Sequence, residues 1–173
     1  MRSTPLLAWS CFFLYALWAA TTQAWLAAPE RLGEWGPDLG LALLFAWAAR
    51  LRGGRGAVAA LLVALGRAST SVEPPLLLVA NALVALGSFT FLGRSFEIDR
   101  ALPRAALCGL CALGTGLVLM TARTQVLASD APYVGIEGVR LWPGALASAG
   151  ACFLLAPLLA RLPGASGFGR VRL

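Results

Sequence analysis

Long apolar segments recur along this chain, and its arginines fall mainly in alternate gaps between them. All 14 cationic residues are arginine. Arg2 precedes the first segment, and Arg31 follows it among Glu30, Glu34 and Asp38. Arg50, Arg52 and Arg55 crowd the second break, and Arg67 with Glu73 marks the third. Arg94, Arg100 and Arg104 occupy the fourth, Arg123 and Arg140 bound the fifth, and Arg161, Arg170 and Arg172 close the sequence. Alternate gaps therefore carry 10 and 4 arginines, and in membrane proteins the arginine-rich loops are the cytoplasmic ones. The pattern predicts six crossings with both termini in the cytoplasm.

Composition supports the same solvent. At 59% hydrophobic and 13% charged residues, the chain is more apolar and far less charged than a soluble domain, where the charged share is about a quarter. A sequence pI near 10.1 would suggest nucleic acid in a soluble protein. Here the arginines are spread over loops, with no basic patch interleaved with aromatics, so no nucleic-acid partner is expected. The first apolar run, 6–28, exceeds the roughly 7 to 15 residues of a signal-peptide core and reads as a retained helix. Cys11, Cys108, Cys111 and Cys152 all lie inside apolar segments, which argues against a disulfide framework or a zinc site.

The fold class that follows is all-α, a polytopic six-transmembrane-helix bundle forming one domain over 1–163, with a short basic cytoplasmic tail at 164–173. The expected helices span 6–28, 37–51, 56–71, 76–92, 105–122 and 142–162. The second and third are short for a hydrocarbon core about 30 Å thick, so a re-entrant hairpin is the competing arrangement. It would leave Arg50, Arg52 and Arg55 at mid-depth, at several kcal/mol each by insertion scales. Two short crossings joined by a cytoplasmic Arg-Gly turn are therefore preferred, helped by local thinning or cover from neighbours. Trp18 falls mid-span and is expected to pack on another helix. The stretch 121–141 reads as the longest extramembrane segment. Pro143 opens the sixth helix, and Pro157 kinks it.

No catalytic set emerges. Histidine is absent, no two carboxylates share an apolar segment, and no nucleotide or metalloprotease motif occurs, so neither enzyme activity nor a cofactor is expected. Glu97 and Asp99, between Arg94 and Arg100, read as a solvated charged loop. Cys108 and Cys111 have Cys-x-x-Cys spacing but no further ligands nearby in sequence.

Small residues instead recur every four positions: Gly144, Ser148, Cys152 and Ala156 in the sixth segment, Cys108, Ala112 and Gly116 in the fifth, and Gly56, Ala60, Ala64 and Ala68 in the third. Such stripes let helix backbones approach closely and serve helix packing or partner contact. The polar candidates at membrane depth are Arg67, Glu73 and Asn81. Arg67, near a helix end, is expected to snorkel to the outer interface.

The order of these features resembles the MreD family of the bacterial rod-shape machinery. The stretches that carry the likeness are a long first helix ending in Thr21-Thr22-Gln23; Trp35-Gly36-Pro37-Asp38-Leu39 opening a short second helix; and the Arg-Gly turn Arg52-Gly53-Gly54-Arg55-Gly56. Ala64 to Ser69 followed by Glu73-Pro74-Pro75-Leu76, and the ending Leu155-Ala156-Pro157-Leu158-Leu159, complete it. Where the family commonly has an acidic residue after its third helix, this chain has Arg67. The resemblance implies a non-catalytic inner-membrane scaffold of the elongasome. It would bind a membrane-anchored MreC-like protein and other cell-wall elongation proteins within the lipid bilayer, and support peptidoglycan synthesis and cell shape. MreD is also thought to be similar in fold to the substrate-binding subunits of energy-coupling-factor transporters. That relation supplies the alternative, a vitamin-type binding subunit, with Asn81, Gln125 and Tyr133 as contributors to an outward pocket.

Overall fold

A computed structural model of the chain describes residues 5–51, 54–71, 75–92, 100–126 and 134–163. Among these residues all regular structure is helical, with no strand. There are six α-helices: α1 (Pro5–Leu26), α2 (Leu39–Trp47), α3 (Gly54–Ala68), α4 (Pro75–Leu92), α5 (Ala101–Val126) and α6 (Val134–Leu159). Short 3-10 turns at Gly33–Trp35 and Ala48–Arg50 flank α2.

Local chemistry sets the starts of α2 and α4. Pro75 opens α4, where its missing N–H costs nothing and its φ is already helical. Asp38 caps α2, its carboxylate accepting the Leu41 amide at 2.9 Å, which satisfies one of the free N–H groups of a first turn. The ends of α5 and the start of α6 differ most from expectation. Helix α5 starts at Ala101, not 105, because Pro103 is tolerated within a first turn. Helix α6 starts at Val134, with Pro143 and Pro157 both inside it. Pro143 therefore does not open the helix, and the fifth gap shrinks, since α5 continues to Val126.

Neighbouring helices run in alternating directions, as their contacts show. Trp18 and Ala19 of α1 lie beside Leu39, while Phe12 meets Trp47 with ring centroids 5.1 Å apart, so α1 and α2 are antiparallel. A side chain at Gly109 would meet Ala145 and Ala149, and one at Gly116 would meet Leu141, which makes α5 and α6 antiparallel. Consequently Arg50, Arg55, Arg100, Arg104 and Arg161 gather at one end of the bundle, whereas Glu30 and Arg31 lie at the other.

Helix α2 is the hub. All nine of its residues are buried, with α1, α3, α4, α5 and α6 around it. Its last turn holds Trp47, fully buried against Phe12 and Tyr15, and the indole N–H donates to the Leu159 carbonyl at 2.7 Å. That carbonyl belongs to the last turn of α6 and also accepts the Leu162 N–H at 3.3 Å, so the indole supplies a second, shorter bond at a helix end where carbonyls run short of donors. Close backbone approach completes the packing. A Cβ at Gly66 would lie 3.0 Å from the Ala16 carbonyl oxygen, so only glycine lets α3 lie this close to α1.

Four helices are long and apolar enough to cross a membrane, with spans at Leu6–Leu26, Pro75–Leu92, Ala101–Thr121 and Leu141–Leu159. Helices α2 and α3 are the short pair, α2 wholly buried and α3 with one face exposed at Val58, Leu61 and Leu65. At 1.5 Å per residue, α2 with its 3-10 turn is about 18 Å long and α3 about 22 Å, both short of the roughly 30 Å hydrocarbon core.

Candidate functional site

The ends of the two short helices meet inside the bundle, and polar residues from five helices converge there. Asp38 stands at the start of α2 and Arg67 in the last turn of α3. The Arg67 guanidinium donates to the second Asp38 carboxylate oxygen at 2.5 Å, while the first carboxylate oxygen holds the Leu41 amide. One carboxylate thus caps a helix and neutralises a cation. The Asp38 side chain is 10% exposed and that of Arg67 23%, so neither can be solvated as in water.

Ser148 of α6 ties the same point to the far side of the bundle. Its hydroxyl accepts the Asp38 backbone N–H at 2.8 Å and donates to the Gly144 carbonyl at 2.7 Å, which uses its one proton and one lone pair. Behind it, the Cys108 thiol donates to the Ser148 carbonyl at 3.8 Å. Asn81 of α4 and Thr115 of α5 complete the layer. The Thr115 hydroxyl is turned back onto the Cys111 carbonyl at 2.8 Å, and the buried Asn81 amide nitrogen has no hydrogen-bond partner in the protein.

Asp38, Arg67, Asn81 and Thr115 share a cavity of about 20 Å³, otherwise walled by Leu41, Val63, Ala64, Leu78 and Ala82. That volume suits a single water, which needs roughly 10 to 15 Å³ and two or more polar partners. Depth is consistent across the layer. Asn81 lies six residues inside its candidate span from Pro75, Thr115 six from Thr121, and Ser148 seven from Leu141. At 1.5 Å per residue each is about 9 to 10 Å below that edge.

The small-residue stripes face this interior. Ser148, Cys152 and Ala156 are buried, with Gly144 partly so, and the stripe packs toward α2 and α5. Cys108 is fully buried, while Ala112 and Gly116 are half-buried. Gly56, Ala60 and Ala64 are buried in α3, and a side chain at Gly56 would collide with Leu86 of α4; Ala68 is half-buried. All four cysteines are free thiols, and no cluster of metal-binding side chains occurs among the described residues.

Two residues sit differently from expectation. Arg67 turns inward to Asp38 instead of snorkelling outward, because α3 ends level with the middle of α1, where Gly66 abuts Ala16. Trp18 is 58% exposed and borders a groove instead of packing on a neighbouring helix. Glu73, Tyr133, Glu97 and Asp99, the tail 164–173 and the Gln125 side chain lie outside the described residues.

Asp38 and Thr115 are the members of the layer that sequence reasoning missed as site residues. The available signal for Asp38 was that both short helices carry a charge at the same end. No protein-family model, curated protein or solved structure matches the chain.

Replacing Ser148 with alanine removes the acceptor for the buried Asp38 amide. The expected cost is about 1 to 3 kcal/mol, the penalty for an unsatisfied buried donor, read as a lower melting temperature in detergent. An unchanged melting curve would mean that α6 does not anchor the start of α2.

Proposed function

We propose that this chain is a six-span inner-membrane scaffold with both termini in the cytoplasm, acting without catalysis by holding a membrane-anchored partner. Four candidate spans and five arginines gathered at one end of the bundle support the orientation, since arginine-rich ends stay cytoplasmic. Helices α2 and α3 then run as short crossings, α2 enclosed by the other helices and α3 with one face outward, their outer ends neutralised by the Asp38–Arg67 pair.

The observation that carries the scaffold reading is the closed interior. Helix α2 is wholly buried and its polar start is satisfied by Leu41, Arg67 and Ser148. The polar cavity beside it holds about 20 Å³, against roughly 300 to 1,000 Å³ for a small-molecule site. With that interior given over to packing, the chain's chemistry lies on its exposed apolar faces. The resemblance to MreD names the partner class, an MreC-like anchored protein and the peptidoglycan-elongation proteins around it. The alternative, a vitamin-binding subunit of an energy-coupling-factor transporter, would need the Asn81 cavity to expand more than tenfold.

Purification of the tagged full chain in gentle detergent tests the reading. Co-purification of cell-wall elongation proteins is the expected result. Recovery of an ATPase module with saturable binding of a vitamin-like solute, abolished by Asn81→Leu, would replace it with the transporter reading.

A further inference from the structure

We propose that the groove between α1 and α6 binds one anionic phospholipid, its acyl chain lying against α2 and its phosphate on Arg161 and Arg50. The inference rests on the membrane reading above and adds a ligand to it. Between α1 and α6, over the buried Leu43 of α2, lies a cavity of about 180 Å³ lined by Tyr15, Trp18 and Ala19 on one side and Leu155 and Leu158 on the other. The lining is almost wholly apolar. Trp18 is 58% and Leu158 61% exposed, so the groove opens sideways, toward lipid in a membrane. An apolar cavity of about 150 Å³ accommodates benzene, so this one has room for roughly six or seven chain carbons.

The charge at one end of the groove selects the headgroup. Arg161 is exposed two residues beyond Leu159, and the Arg50 guanidinium donates to the Ala160 carbonyl at 2.9 Å. That bond uses one of the five guanidinium N–H donors and leaves others for a phosphate. Both arginines lie at the arginine-rich end, the cytoplasmic one in the orientation proposed, whereas Glu30 and Asp38 lie toward the opposite end. The cytoplasmic leaflet carries anionic lipid that attracts basic residues. A side chain from a partner helix could fill the same volume, but it would have no use for two cations at the groove's end, so a lipid is the occupant the site favours.

Native mass spectrometry of the delipidated full chain, titrated with phosphatidylglycerol or phosphatidylcholine of identical acyl chains, tests this. One phosphatidylglycerol should bind per chain in preference to phosphatidylcholine. Arg161→Gln and Arg50→Gln should each weaken it by about fivefold, with little effect on phosphatidylcholine. Ala19→Phe, or Leu155→Phe should the first not fold, narrows the groove and should remove the retained lipid while the melting temperature shows the bundle intact.

Equal binding of the two lipids overturns the site, as does an adduct indifferent to the groove variant that folds. So does loss of partner capture in that variant with lipid binding unchanged, which assigns the groove to a helix. A chain recovered from the soluble fraction is a different failure, that of the membrane reading itself.

Discussion

Asp38→Asn is expected to lower the stability of the bundle by about 3 kcal/mol, the scale on which a buried ion pair suffers when one partner loses its charge. Asparagine keeps an oxygen to accept the Leu41 amide, so the α2 cap largely survives. What changes is Arg67, whose side chain is 23% exposed and is left in the polar layer beside Asn81 and Thr115 without its counter-charge. The companion Arg67→Met leaves Asp38 uncompensated and should cost a similar amount. Combining the two should recover much of the loss, because removing both charges together leaves no uncompensated buried charge. Thermal unfolding in detergent of all four proteins gives the coupling energy. Additive single effects would show that the two charges act independently.

Trp47→Ala should be comparably damaging, at about 3 to 5 kcal/mol, the usual cost of removing a fully buried large aromatic from a core. The indole packs on Phe12 and Tyr15 and donates to the Leu159 carbonyl, so its loss opens a void at the hub and leaves that carbonyl only the longer bond from the Leu162 N–H. Trp47→Phe separates the two effects, because it fills much of the volume and lacks the N–H. It should cost about 1 to 2 kcal/mol, near the worth of one buried hydrogen bond. If alanine and phenylalanine behave alike, the hydrogen bond outweighs the packing.

Local signals carried most of this architecture. Pro75 and the Pro37-Asp38 pair start helices within two residues of where sequence alone sets them, and the α2 region ends by Leu51 before α3 begins at Gly54. Pro143 misled because a proline at a first turn and a proline within a long helix look identical until the preceding turns are known. Residues from Val134 onward continue the helix, so its start lies well upstream.

The polar layer was less legible, for a physical reason. Asp38 and Arg67 are 29 residues apart and Asp38 and Ser148 are 110 apart, distances that no periodicity spans. Ser148 looked like one small residue in a packing stripe, which it is, and only the fold reveals its hydroxyl beneath the Asp38 amide. In sequence Arg67 reads as a snorkelling residue, because a helix end with no visible partner reads as reaching the membrane surface. The close pass of Gly66 against Ala16 holds that end inside the bundle.

The central claim, a membrane bundle whose successive breaks face opposite sides, is tested most directly by paired topology reporters. One is fused after Arg52, between α2 and α3 in sequence, and one at Gly135, near the start of α6. The account predicts a cytoplasmic signal from the first and a signal from the opposite side of the membrane from the second. The same side for both, or reporters recovered in the soluble fraction, would contradict it.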